Sequence, residues 1–286
     1  MQLSIGFSPC PNDTFIFDAL VHNKIDTEGL KFNPVLLDVE ALNRSAFEGS
    51  LDITKLSYYA YKFVQNEYIL LDSGSALGSH CGPIVIAKTV FEPQQLSTKI
   101  IAIPGKYTTA NFLLNYYLHT LPDYKPQTGR HIAMVFSDIM PAVQKEKVEA
   151  GVIIHENRFT YMEYGLHKII DLGDFWESNT GHPIPLGGIA AKRNLSREIL
   201  QKLNRVLRRS VAFALDYPES SQEFVRMHAQ ETKPEVIAQH IHLYVNHYTV
   251  EIGEQGKNAV KYMMQITNNT DEQEIENIYF VSDLVN

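Results

Sequence analysis

The chain has 286 residues, 44% of them hydrophobic and 20% charged, with a formal charge of −8 at pH 7. That is an ordinary globular composition, long enough for two modest domains or one large one, and its acidic balance excludes a general nucleic-acid binder, which needs a basic surface for phosphates. Two cysteines, Cys10 and Cys81, cannot build a disulfide framework or a four-cysteine zinc site, and no apolar run reaches the roughly 18 residues of a membrane helix.

The opening stretch, MQLSIGFSPCPND, has neither a basic start nor a long apolar run, so a soluble cytoplasmic protein is expected. Residues 3–8 read as a strand that breaks at Pro9-Cys10-Pro11, where two prolines fix a rigid turn. Asn12, Asp13 and Thr14 are candidate N-caps for a helix carrying Phe15, Phe17, Ala19 and Leu20. A helix start at the top of a strand receives anions readily, although a capped helix with nothing bound is the commoner case. Residues 31–39 form a second expected strand and 40–48 a helix; residues 51–56 form a third strand, and Ser57 opens a helix with Tyr58, Tyr59 and Tyr61. Strand, helix, strand in this order predicts a parallel sheet with right-handed crossovers. Lys55, Leu56 and Ser57 then occupy a strand-to-helix switch, where a serine holds a ligand carboxylate or caps its own helix.

Residues 68–77 and 82–87 read as two more strands, and the polar stretch 92–98 as a connection. The α/β pattern then restarts. Residues 99–103 form a strand, Pro104-Gly105-Lys106-Tyr107 a loop, and Thr108-Thr109-Ala110 the start of a helix. The glycine spacing and the terminal Lys-Ser/Thr of a nucleotide P-loop are missing, and so is GxGxxG. After a strand at 131–136 and a helix at 139–148, the run Gly151 to Ile154 reads as a short buried strand ending at His155. A histidine at the carboxyl end of such a strand sits at the rim of the ligand crevice of an open α/β sheet. Imidazole, with an unperturbed pKa of about 6.5, suits proton transfer near neutrality; the alternative is a half-buried ring closing a strand end. A helix at 158–164, a strand at 167–172, a segment at 174–186 with turn-rich residues 179–183, a strand at 186–192 and helices at 198–215, 221–229, 234–246 and 254–266 complete the expectation.

Two α/β units followed by a return strand and helices suggest a discontinuous arrangement, residues 1–87 with 187–286 forming one lobe and 88–186 an inserted second lobe. This is the type II periplasmic-binding-protein-like architecture, with a central cleft onto which the four candidate ligand loops face. Trp176 and His182 are candidates to line it.

Ser8–Phe15 (SPCPNDTF), Asp52–Ser57 (DITKLS), Thr108-Thr109-Ala110 and Gly151–Glu156 (GVIIHE) together resemble the 1,4-dihydroxy-6-naphthoate synthase family of the futalosine route to menaquinone, over essentially the full length. The resemblance implies a cytoplasmic lyase that cleaves cyclic dehypoxanthine futalosine, releasing the dihydroxynaphthoate and a three-carbon fragment. It also implies that His155 accepts a proton, and that Lys55, Leu56, Ser57, Thr109 and Ala110 hold the substrate; Asn12 and Asp13 join them as polar groups at a helix start. No metal or organic cofactor is expected, and the partner is a small carboxylate rather than nucleic acid or membrane.

Three alternatives carry distinct signatures. A chorismate dehydratase of the same pathway would also abstract a proton but eliminate water. A non-catalytic binder of small carboxylates would need an export signal, which the opening residues lack. Cys10 at a helix start and Cys81 beside His80 would suit a Cys–His nucleophile. Metal ligation is disfavoured: His240 and His242, two apart on an expected helix, point to different faces.

Overall fold

The computed structural model describes residues 1–122, 124–125, 130–230, 233–268 and 279–285. In chain order the early elements are β1 (Gln2–Phe7), α1 (Pro11–Val21), β2 (Lys31–Leu36), α2 (Val39–Phe47), β3 (Ile53–Ser57), α3 (Tyr58–Tyr61), β4 (Tyr68–Leu70) and β5 (Ala76–Gly78). There follow β6 (Ile84–Ala87), β7 (Ile100–Ile103), α4 (Thr109–His119), β8 (Arg130–Ala133), α5 (Phe136–Gln144), β9 (Ala150–Ile153), α6 (Asn157–Thr160), β10 (His167–Asp171) and α7 (Leu172–Thr180). The chain ends with β11 (Ile184–Lys192), α8 (Arg197–Asp216), α9 (Gln222–His228), α10 (Pro234–Tyr244), α11 (His247–Val250) and α12 (Gly253–Asn268). Local chemistry sets these boundaries. Pro11 opens α1 with its ring already in helical geometry, while Asp38, Thr108, Asp171 and Ser196 each turn a side-chain oxygen onto backbone N–H groups of the helix that follows. Among the described residues, no helix is long and apolar enough to cross a membrane.

The chain divides into two compact α/β units, Met1–Gly78 with Pro185–Asn286, and Ser79–Ile184. In the first, the sheet runs β2-β1-β3-β11-β4, with β5 beside β11. β1 lies parallel to β2 and β3, but β11 runs antiparallel to β3 and β4. The sheet is therefore mixed, not purely parallel as the strand–helix alternation predicts. The reason is where β11 enters: Gly187 pairs with Ser57 at the carboxyl end of β3, so the strand can only run back along it. Phe7 and Phe17 stack at 4.5 Å in a core that also takes Leu3, Ile5, Ile189, Leu203 and Val206.

In the second unit the order is β10-β6-β9-β7-β8. β7 is parallel to β8 and β9, and β6 is antiparallel to β9 and β10. Ile84–Ala87, expected in the first lobe, thus belongs to the second sheet. Its four apolar residues are fully paired and buried there, and the chain leaves the first unit at Gly78, before the polar stretch that looked like the linker. The single strand expected over residues 68–77 is two short strands, β4 and β5, both in the first unit. The segment from Asp174, expected only to lead into the turn-rich residues 179–183, is instead part of a helix, Leu172–Thr180, capped by Asp171.

Candidate functional site

The turn between β1 and α1 gathers charge in the first unit. Cys10, not Asn12 or Asp13, is the N-cap of α1, which leaves both side chains available for other work. The Asp13 carboxylate accepts the Ser8 N–H at 3.1 Å and the Ser8 hydroxyl at 2.7 Å on one oxygen. Its other oxygen accepts Asn12 Nδ2 at 2.9 Å and Lys55 Nζ at 2.9 Å. Asp13 is 1% exposed and Lys55 6%. A charge pair this deep persists only because the carboxylate is hydrogen-bonded on both sides as well as paired. Lys55 lies in the middle of β3, opposite Ile189, so the sheet fixes its stem.

Two residues along β3, Ser57 is held differently. Its N–H donates to Asn43 Oδ1 at 2.9 Å, and Asn43 Nδ2 donates to its hydroxyl at 3.2 Å. Asn43 is fully buried on α2; the only hint in the sequence is an asparagine on the apolar face beside Leu42 and Ala46. Ser57 is the N-cap of α3 without a side-chain capping bond, so its hydroxyl serves Asn43 and not the helix. Leu56 is fully buried and can address a ligand only through its backbone. Of the three neighbouring tyrosines, Tyr58 and Tyr61 are core residues; burial raises the Tyr58 phenol well above its ordinary value, and the phenol bonds the Ser75 hydroxyl.

In the second unit Thr108 closes the loop before α4. Its hydroxyl donates to Gly105 O at 2.8 Å and accepts Asn111 N at 3.2 Å, while Asn111 Nδ2 donates to Lys106 O at 2.9 Å. Thr109 and Ala110, each 3% exposed, form the first turn of α4, at the positive end of the helix dipole. Such a turn accepts a carboxylate or hydroxyl.

His155 follows β9 in the left-handed region, φ +57°, a conformation in which a non-glycine residue stores strain. Its ring meets the Phe136 ring edge-on, centroids 5.0 Å apart. The backbone continues in a turn, Arg158 N–H to His155 O at 3.2 Å, and Asn157 Nδ2 fastens Phe136 through its carbonyl at 3.2 Å. Arg158 anchors the far side, donating to Asp171 Oδ2 at 2.7 Å, to His80 O at 2.9 Å and to Gly82 O. Phe136 thus packs on the imidazole, and Asn157 and Arg158 tie down the turn that follows it. Glu156, beside it, is a buried carboxylate, 3% exposed.

Other sequence candidates take different places. Trp176 is fully buried, its Nε1–H on Pro183 O at 3.3 Å and its ring against Tyr116 and Phe112, so it is a core residue of the second unit and lines no crevice. Burial pushes the Cys81 thiol up to about 12, so it is no thiolate nucleophile at neutral pH. Within the second unit His80, Asp174 and Glu177 bring one potential ligand atom each within 4.8 Å of one another; the Asp174 carboxylate raises the His80 pKa, and both side chains are exposed.

The profile of the menaquinone-biosynthesis family matches residues 3–269. The chain is 48% identical over 258 residues to a 1,4-dihydroxy-6-naphthoate synthase of Thermus thermophilus, covering 90% of this chain and 91% of the relative. It is 42% identical over 263 residues to the enzyme of that name from Streptomyces coelicolor, covering 92% and 91%. Among solved structures, an Archaeoglobus fulgidus protein superposes with a TM-score of 0.85 at 34% identity, covering 94% of this chain and 98% of that one. The periplasmic aliphatic sulphonate binding protein of Escherichia coli gives a TM-score of 0.66 at 14% identity, over 94% and 85%, a likeness of fold alone: the periplasmic-binding-protein-like class that the sequence predicts.

Proposed function

The chain belongs to the menaquinone-biosynthesis family, whose profile spans residues 3–269, and from that premise we propose that it is a 1,4-dihydroxy-6-naphthoate synthase, a carbon–carbon lyase acting on cyclic dehypoxanthine futalosine. The 48% identity to a synthase over 90% of the chain is the observation that carries the activity. In this reading His155 removes the proton of a substrate hydroxyl. The oxygen's electrons form a carbonyl, the adjacent carbon–carbon bond breaks, and its electron pair flows into the carbocycle as that ring becomes aromatic. The aromatic product supplies much of the driving force, so a placed base suffices; general acid–base catalysis contributes about 10²–10⁴-fold.

The remaining groups bind and orient. The Lys55 ammonium, held by Asp13, and the Ser57 hydroxyl take carboxylate or hydroxyl oxygens, as does the first turn of α4 at Thr109 and Ala110. Leu56 contributes backbone, and Asn12 steadies Asp13. What supports His155 as the base is its left-handed backbone, φ +57°, and its seat on Phe136, which steer one imidazole at a strand end. The test is incubation of the purified chain with cyclic dehypoxanthine futalosine, following the naphthoate by absorbance and mass. Dehydration of chorismate in a parallel assay, with no naphthoate formed, would assign the chain to the other reaction.

A further inference from the structure

His240 lies on α10 and is 0% exposed. Its Nε2 is 2.8 Å from Asn12 Oδ1, across 228 residues of chain. The rest of the network fixes the direction of that bond. The Asp13 carboxylate, facing the Lys55 ammonium, is an acceptor only, so the Asn12 atom on it at 2.9 Å is the donating Nδ2. Asn12 therefore turns its acceptor, Oδ1, to the imidazole, and Nε2 must carry a hydrogen. The ring is braced by Tyr244, with centroids 4.7 Å apart, and Pro234 opens the helix that carries both. The result is one relay: His240 to Asn12, Asn12 to Asp13, and Asp13 to Lys55, an ammonium with three hydrogens of which one is placed on Asp13.

We propose that His240 is a positioning residue: its Nε2–H holds the Asn12 amide, which orients Asp13 and with it the Lys55 ammonium for a substrate anion. This rests on Lys55 being a substrate-binding group. His240 touches no reacting atom, so its removal weakens substrate capture and leaves the chemical step alone.

The experiment is steady-state turnover of cyclic dehypoxanthine futalosine by the full chain and by His240→Leu and His240→Gln, with folding followed by circular dichroism, alongside nitrogen NMR of labelled imidazoles in the unliganded wild type. His240→Leu is expected to raise KM about tenfold, the size of one hydrogen bond, with kcat within about threefold. His240→Gln places an amide N–H where Nε2–H stood, and is expected to return KM to within about threefold of wild type. The NMR is expected to find Nε2 protonated. An unchanged KM in folded His240→Leu, a glutamine variant no better than the leucine one, or a neutral ring protonated on Nδ1 alone would overturn the proposal. If His240→Leu does not fold, the glutamine variant and the tautomer decide. A wild type that leaves the substrate untouched defeats the substrate assignment instead, and the tautomer alone then decides the His240–Asn12 bond.

Discussion

The turn after β1 and the turn after β9 both stand at the carboxyl end of a buried strand, yet they are built in opposite ways. Around Asp13, four donors converge on one carboxylate, and the backbone from Ser8 to Asp13 has no left-handed residue. Around His155 the backbone itself is left-handed, and the ring is steered by an aromatic face. Groups that hold a charge must not move, and a dense network of charge-assisted bonds secures that. A group that exchanges a proton gains from being aimed by the main chain, because its nitrogens then keep their chemistry.

The contrast breaks most sharply at His155. His155→Ala should lower kcat at least about a hundredfold with KM within about tenfold, measured by naphthoate formation; wild-type turnover in the folded variant would remove the base from that turn. Next is Lys55→Met, which strands a buried carboxylate and should destabilise the fold by about 3–5 kcal/mol in urea unfolding, more than any substitution of His155. A loss under about 1 kcal/mol would mean the network around Asp13 is not what secures the first turn. Gly151→Ala places a Cβ 2.5 Å from Ile139 Cγ2 and 2.9 Å from Val143 Cγ2, an overpacking worth about 1–3 kcal/mol in thermal unfolding. His155→Gly should unfold about 1 kcal/mol later than His155→Ala, since glycine alone adopts positive φ without penalty.

The smallest effect is a titration in the second unit. Burial depresses the His131 pKa below its ordinary 6.5. The unfolded chain then binds the proton more readily than the folded one, so this stability is fully present above pH 6.5 and lost as pH falls toward the folded value. His131→Asn should flatten the urea stability profile between neutral and mildly acidic pH; an unaltered slope would assign the acid sensitivity elsewhere.

Much of this was legible in the residues. Val152, Ile153 and the prolines around Cys10 announce a strand and a turn by local sterics, and Ser57 and His155 stand out by lying where strands hand over to helices, whereas Lys55, expected at the same switch, sits in the middle of β3. What escaped is long-range. Ile84–Ala87 is apolar enough for either sheet, and only its partners β9 and β10 decide. Asn43, Arg158 and His240 act on residues far from them in sequence, 14, 78 and 228 positions in the bonds to Ser57, His80 and Asn12, and no periodicity encodes such meetings. Trp176 was a crevice candidate because it sits in the long segment before the return strand; its burial comes from packing on Tyr116 and Phe112, on another helix. The left-handed turn at His155 was invisible because no glycine or asparagine marks it.

The entry of β11 beside β3 also dictates an order of events on the ribosome. Synthesis must pass Ile189 before Lys55 and Ser57 gain their partners on β11, whereas the five strands of the inserted unit are complete at Asp171. Nascent chains halted short of β11 should therefore resist protease within β6, β7, β9 and β10 while being cut within β3. The half that grips charge is the last to set.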